Sequence, residues 1–255
     1  LREGITAVIL TKNEERRIEN CLKHLNWVDE IIIIDSYSTD KTLEICRRFT
    51  DNIYQREWPQ SFSDQRNYGD SLASNKWIFS IDADEIVPDE LKKEIINRFK
   101  KMDESVCGFN IRRKEFMFGK WIMYGGWSEQ YKTRIYRKDK GEWVGKIHEK
   151  FIVDGEVENL SNYLLHYSYE SIPIFIEKFN NYSTIEADSA FKEGKRFSWF
   201  KLFFAPIERF LGRFIIHKGF RDGTHGFVVA LLIALNYFLR YLKLWELYYK
   251  RDRKF

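Results

Sequence analysis

Three nearly unbroken apolar runs, each ending at a polar or acidic residue, constrain this chain most: residues 5–10 (ITAVIL), 30–34 (EIIII) and 77–81 (WIFSI). A strand with no polar face must be covered on both sides, as parallel strands inside an α/β sheet are. Helical patterns separate the runs. Residues 14–25 put Ile18, Cys21, Leu22 and Leu25 on one face, and Asp40 can cap a helix reaching about Phe49. Asp64–Ala73 reads as a third helix, and Pro88-Asp89-Glu90 opens a fourth that runs to about Lys101. With a short strand at Asn52–Arg56, this alternation predicts a doubly wound, mostly parallel sheet. Right-handed crossovers then bring the strand ends to one edge, where ligands bind.

The pattern changes after residue 105. Strands are expected at Val106–Arg113, Tyr131–Arg137 and Glu142–Val153. Helices are expected at Ile172–Lys192, at Ser198–His217 with a break at Pro206, and at Thr224–Lys250. The division expected is a catalytic domain over residues 1–170 and a helical C-terminal region over 171–255. Cys21, Cys46 and Cys107 lack metal or disulfide spacing, and no secretory pattern precedes Ile5, so a reducing, cytoplasmic setting is expected.

The chemistry-bearing residues sit where the apolar runs stop. Asp82 and Asp84 in Asp82-Ala83-Asp84-Glu85 follow a buried strand, and a buried carboxylate needs a partner. A hard divalent cation is one such partner, since Mg²⁺ or Mn²⁺ takes one or two carboxylates together with phosphate oxygens. A solvated loop with helix-capping acids is the other reading. Asp35-Ser36-Tyr37-Ser38-Thr39-Asp40 offers an acid and small hydroxyls suited to ribose or a base edge, with Asp40 serving as a cap. Thr11-Lys12-Asn13-Glu14 lies on the same predicted edge, and no Gly-rich phosphate loop accompanies it.

Taken with Gln65-Arg66-Asn67 and Trp77, these segments resemble the family 2 glycosyltransferases of GT-A fold, in particular the branch that includes lipopolysaccharide core glycosyltransferases. The resemblance extends to Gly126-Trp127, Arg134, His148-Glu149 and a Gly219, Asp222, Gly223, Gly226 element. It departs at Trp127-Ser128-Glu129-Gln130, where many relatives have Trp-Tyr-Pro-Asp. The resemblance implies an inverting hexosyltransfer from a UDP-sugar to a glycan or lipid-linked acceptor. Asp35 would then hold the nucleobase or ribose, with Thr11, Asn13, Glu14 and Ser38 beside it; Asp82, next to Ala83, would face the ribose and the metal, Arg134 would pair with phosphate, and Arg66 would face the base or the diphosphate or else pair with a neighbouring acid. Asp84, Asp82 and His148 would hold Mn²⁺ or Mg²⁺, although His148 also reads as a hydrogen-bonded core histidine. An inverting transfer needs a carboxylate base, for which Glu149 is the first candidate and Glu129 the second.

The charge is uneven. Residues 196–255 hold twelve Lys/Arg and four Asp/Glu, while the rest of the chain is net acidic. Within 197–217 (FSWFKLFFAPIERFLGRFIIH) aromatic and basic residues interleave, which suits the headgroup layer of an anionic membrane on the cytoplasmic face. Packing on the catalytic domain or on a second subunit is the alternative. The purely apolar stretch Phe227–Leu235 is shorter than the roughly 20 residues of a bilayer span. Three rival readings exist, one of them a transferase that has lost catalysis and only binds, against which the intact Asp-x-Asp and His-Glu argue. A metal-dependent nucleotidyltransferase should carry a Gly-rich basic loop after the first strand, where this chain has Thr-Lys-Asn-Glu. A nucleic-acid-binding module using the basic tail should show a stacking platform, and the acids at three strand ends would repel its phosphates, so no nucleic-acid partner is expected.

Overall fold

The computed structural model describes residues 3–59, 61–145 and 149–252, the side chains of 251 and 252 excepted. The N-terminal elements are β1 (Ile5–Thr11), α1 (Ile18–Lys23), β2 (Glu30–Asp35), α2 (Thr42–Cys46), β3 (Ile53–Gln55), α3 (Phe62–Leu72), β4 (Trp77–Asp82), β5 (Glu85–Ile86) and α4 (Asp89–Lys101). There follow β6 (Val106–Met117), β7 (Lys120–Ile122), β8 (Tyr131–Arg137), β9 (Gly141–Val144), β10 (Lys150–Val153) and β11 (Glu156–Tyr169). The chain ends in α5 (Ile172–Lys192), α6 (Trp199–Leu211) and α7 (Thr224–Asp252).

The doubly wound α/β sheet with a C-terminal helical extension is present. Strand order is β3-β2-β1-β4-β8-β6-β11-β5, with β7 beside β6. The first four strands in this order pair in parallel and the later pairings given in register are antiparallel. Ile9, Ile33, Phe79 and Ile81 are fully buried in one core, which the covered-on-both-faces pattern required. Register sets the site: Leu10 lies opposite Asp82 and Thr11 opposite Asp35, so three adjacent strands end together. Ser61 caps α3 by accepting the Asp64 N–H at 3.3 Å, and α4 starts behind Pro88 with Asp89 and Glu90 in its first turn.

Four expectations change. The strand expected at 142–153 is a hairpin, β9 against β10, with Val144 opposite Lys150. The long β11 was not expected, because its inward face alternates Leu160, Leu164 and the buried Ser168 with Asn162 and His166, which hides the apolar period of two. Pro206 does not break α6. The helix continues past it and loosens only at the π-helical turn Gly212–Ile216. Finally, Asn236 lies buried inside the continuous helix α7, so Thr224–Lys250 is long and apolar enough to cross a membrane by length and composition.

Two compact units result. One comprises Leu1–Arg113 and Gln130–His166, the other Lys114–Glu129 and Tyr167–Phe255. In the second, α7 packs on α5 and α6, with Ala187, Ala190 and Leu244 at the centre of one contact. Lys243 pins α7 to α5 through the Asn180 carbonyl at 2.6 Å and the Ser183 hydroxyl at 2.8 Å. The Gly219–Gly226 element is a backbone clamp. Asp222 is 4% exposed and accepts the N–H groups of Tyr124 at 2.9 Å and Met123 at 3.1 Å. A Cβ on Gly226 would lie 1.9 Å from the Gly219 carbonyl oxygen, so only glycine permits this approach.

Candidate active site

The site is built around the turn that ends β4. Glu85, fully buried, closes the turn by accepting the Asp82 N–H on Oε2 at 2.8 Å. Its other oxygen takes Arg134 of β8 at 2.8 Å and Arg113 of β6 at 3.2 Å. Asp82 divides its carboxylate between two helpers, Arg66 on Oδ1 at 2.7 Å and Arg134 on Oδ2 at 3.1 Å. Burial alone would raise the Asp82 carboxyl, but Arg66, Arg134 and Arg113 hold it well below the usual carboxylate range.

Arg66 is the hub. It projects from α3, is 3% exposed, and donates to Ser80 at 2.6 Å as well as to Asp82. Its Nε and NH2 also reach Oε1 of Glu149 at 3.3 and 3.2 Å, and its guanidinium lies 4.8 Å from the Trp143 ring centroid. Burial opposes its charge, but Asp82 and Glu149 outweigh that and raise its pKa. Asp82, Arg113, Lys132, Arg134, Trp143 and Glu149 all line a cleft of about 790 Å³. Lys132 is exposed overall, yet desolvation of its ammonium, reinforced by Arg113 and Arg134, lowers its pKa to about 8. Such a wall of cations suits a phosphate-bearing ligand.

The two preceding loops interlock. Asp35 is fully buried and accepts the Ser38 hydroxyl at 2.5 Å, the Ser38 N–H at 2.9 Å and Gln55 at 3.1 Å. Asn13, in a left-handed conformation (φ 56°), donates its N–H to Ser38 at 2.8 Å and accepts the Thr39 N–H at 2.8 Å. The Glu14 N–H reaches Thr42, and the Glu14 carboxylate pairs with Arg17 at 2.9 Å. Arg17 in turn lies 3.7 Å from Asp84, which ties the first loop to the β4 turn. Thr11 is 4% exposed, and its hydroxyl has no partner among the described residues. Ala83 is buried in the turn itself.

Asp84 meets a residue the sequence reading missed. Its Oδ1 lies 3.2 Å from Nε2 of His166, which β11 brings opposite Glu85. A carboxylate is a ligand for Mn²⁺ or Mg²⁺ and an imidazole favours a transition ion over Mg²⁺, so the pair fits Mn²⁺ better than Mg²⁺. Among the described residues no group of three His, Cys, Asp or Glu side chains could hold one, so phosphate oxygens and water would have to complete the shell. His148 lies outside the described residues. Glu129 belongs to the second unit, where it is exposed and lies 3.4 Å from His217. The reading also missed Glu85, Arg113 and Lys132. An acid directly after Asp-x-Asp was the one available signal for Glu85.

The family model and the sequence relatives point one way. The model of Glycosyl transferase family 2 matches residues 6–158. An uncharacterized glycosyltransferase of Rickettsia typhi is 32% identical over 95% of this chain and 87% of its own length. The lipopolysaccharide core biosynthesis glycosyltransferase LpsC of Rhizobium meliloti is 29% identical over 95% of this chain and 92% of its own. Among solved structures, S. aureus TarS 1-349 superposes with a TM-score of 0.49 at 15% identity, covering 99% of this chain and 93% of that one.

Proposed function

We propose that this chain, which belongs to glycosyl transferase family 2, moves a hexose from a UDP-sugar to a glycan or lipid-linked acceptor with inversion. The observation that carries this reading is the chain of contacts Asp82–Arg66–Glu149 beside the cationic cleft, at the edge where β1, β2 and β4 end.

The interlocked Thr11–Glu14 and Asp35–Ser38 loops form the nucleoside end. Arg134, Arg113 and Lys132 face the diphosphate. Both Arg66 contacts use Oε1 of Glu149, which leaves Oε2 to take the acceptor proton. As that proton moves to Glu149, the acceptor oxygen bonds the anomeric carbon and the bond to the diphosphate breaks. Asp84 and His166 would hold Mn²⁺ or Mg²⁺, which when bound neutralises charge on the departing diphosphate. The likeness to LpsC favours a lipopolysaccharide core as the acceptor class, and hence work on the cytoplasmic face of a membrane.

Calorimetric titration of UDP with and without Mn²⁺ tests the donor site. Metal-dependent binding that Asp84→Ala abolishes supports it, and no UDP binding in either condition sinks it. Glu149→Gln should retain UDP binding while transfer falls by about 10²–10⁴-fold. Unchanged transfer would move the base elsewhere, with Glu129 next.

A further inference from the structure

We infer that α6 and the π-helical turn after it form a face that docks on an anionic lipid bilayer, lying in the headgroup layer. This rests on the membrane part of the proposed function and gives it a surface.

The helix is built inside out for water. Trp199, Phe200, Phe203, Phe204, Ile207 and Leu211 recur at i, i+1, i+4, i+5, i+8 and i+12, which gathers them on one side. Their exposure runs from 46% for Leu211 to 67% for Phe200, whereas Leu202 on the opposite side is 2% exposed. Ile215 and Ile216 extend the same outward character at 54% and 74%. A soluble helix buries such a stripe, and a contiguous patch of this kind marks a binding surface. The rings are also ordered among themselves, with Phe200 and Phe204 stacked at 4.3 Å. In the same unit α7 adds exposed Phe227, Leu231 and Leu235, one turn apart.

Charge names the occupant. The exposed cations Lys192, Lys195, Arg196, Lys201, Arg209, Lys218 and Arg221 lie in or beside this segment in sequence and outnumber its exposed acids, Glu208 and Glu193, the latter paired with Lys195 at 2.6 Å. Trp and Phe on one face, in a stretch of sequence with a surplus of Lys and Arg, match the two attractions an interfacial helix uses, apolar insertion and anionic headgroups. A second copy of the chain fits less well, because a two-fold interface through this face would bring the same cations together.

Vesicle flotation of the intact chain tests the inference, using phosphatidylcholine alone and an equal mixture with phosphatidylglycerol. The wild type should float with the anionic vesicles at least tenfold better than with the neutral ones. A Phe200→Glu, Phe204→Glu variant should lose at least tenfold of that binding, and a Lys195→Glu, Lys201→Glu variant should lose the anionic preference. Thermal unfolding and UDP titration on each variant should match the wild type. The inference is overturned if the wild type floats with neither vesicle, or if the phenylalanine variant floats like the wild type, which would assign membrane binding to α7. It is also overturned if the wild type is a dimer that ignores vesicles and that the phenylalanine variant dissociates. Loss of UDP binding in the wild type would sink the donor reading and leave the flotation result standing.

Discussion

Asp82 and Asp222 are both acids held close to the protein interior, yet they are held in opposite ways. Asp82 keeps 28% of its side chain exposed and is gripped by the side chains of Arg66 and Arg134. Asp222 is gripped by the backbone N–H groups of Met123 and Tyr124, inside a turn where Gly226 meets Gly219. Guanidinium groups can exchange one oxyanion for another when a ligand arrives, whereas backbone donors cannot move without unmaking the turn. The first arrangement is suited to binding and the second to shape.

The contrast is open to experiment. Arg66→Met should have the broadest effect, on folding and binding together, because it leaves Asp82 and Glu149 without their shared cation. We expect a loss of about 3–5 kcal/mol in denaturant unfolding, together with loss of UDP binding. Asp222→Ala should cost about 1–3 kcal/mol for each N–H left unpaired, yet retain UDP binding. If it abolished UDP binding as completely as Arg66→Met, the division between binding and shape would fail.

A pH effect comes next. Burial lifts Asp70 to about 7, despite the hydrogen bond it accepts from Tyr136 at 2.8 Å. Its folded pKa therefore lies above its unfolded value, so the protonated form favours folding. The contribution is complete below about pH 4 and is lost as pH rises toward 7, at up to about 1.4 kcal/mol per pH unit. Asp70→Asn should flatten the pH dependence of unfolding over that window. Thr11→Val should have the smallest effect on folding, within about 1 kcal/mol, since the hydroxyl it removes is unpartnered.

What was legible in the sequence follows from which residues meet which. β1, β2 and β4 announced themselves because strands covered on both faces are apolar throughout, and the acids at their ends marked the edge. β11 did not, because a strand that turns Asn162, His166 and Ser168 inward has no apolar alternation to read. The Asp84–His166 pair was hidden for a related reason. Only the antiparallel register of β5 with β11 brings them together, and no local spacing encodes that. Arg113 and Lys132 were missed because a basic residue in an amphipathic strand reads as solvated until its counter-charge is located. Arg134 and Glu149, which resemblance to a family suggested, line the same cleft.

The glycine contact in the second unit also bears on how this enzyme can diversify. Where a Cβ would lie 1.9 Å from a carbonyl oxygen, a whole class of substitutions is closed. Glu129, exposed and only five residues beyond the clamped Tyr124, is under no such constraint. Substitution is therefore open at Glu129 and closed at Gly226, and Glu129 lies in the Trp127-Ser128-Glu129-Gln130 segment where the chain departs from the family pattern it resembles. A turn that admits only glycine, and a replaceable side chain five residues past its partner Tyr124, let this segment change sequence without losing its shape.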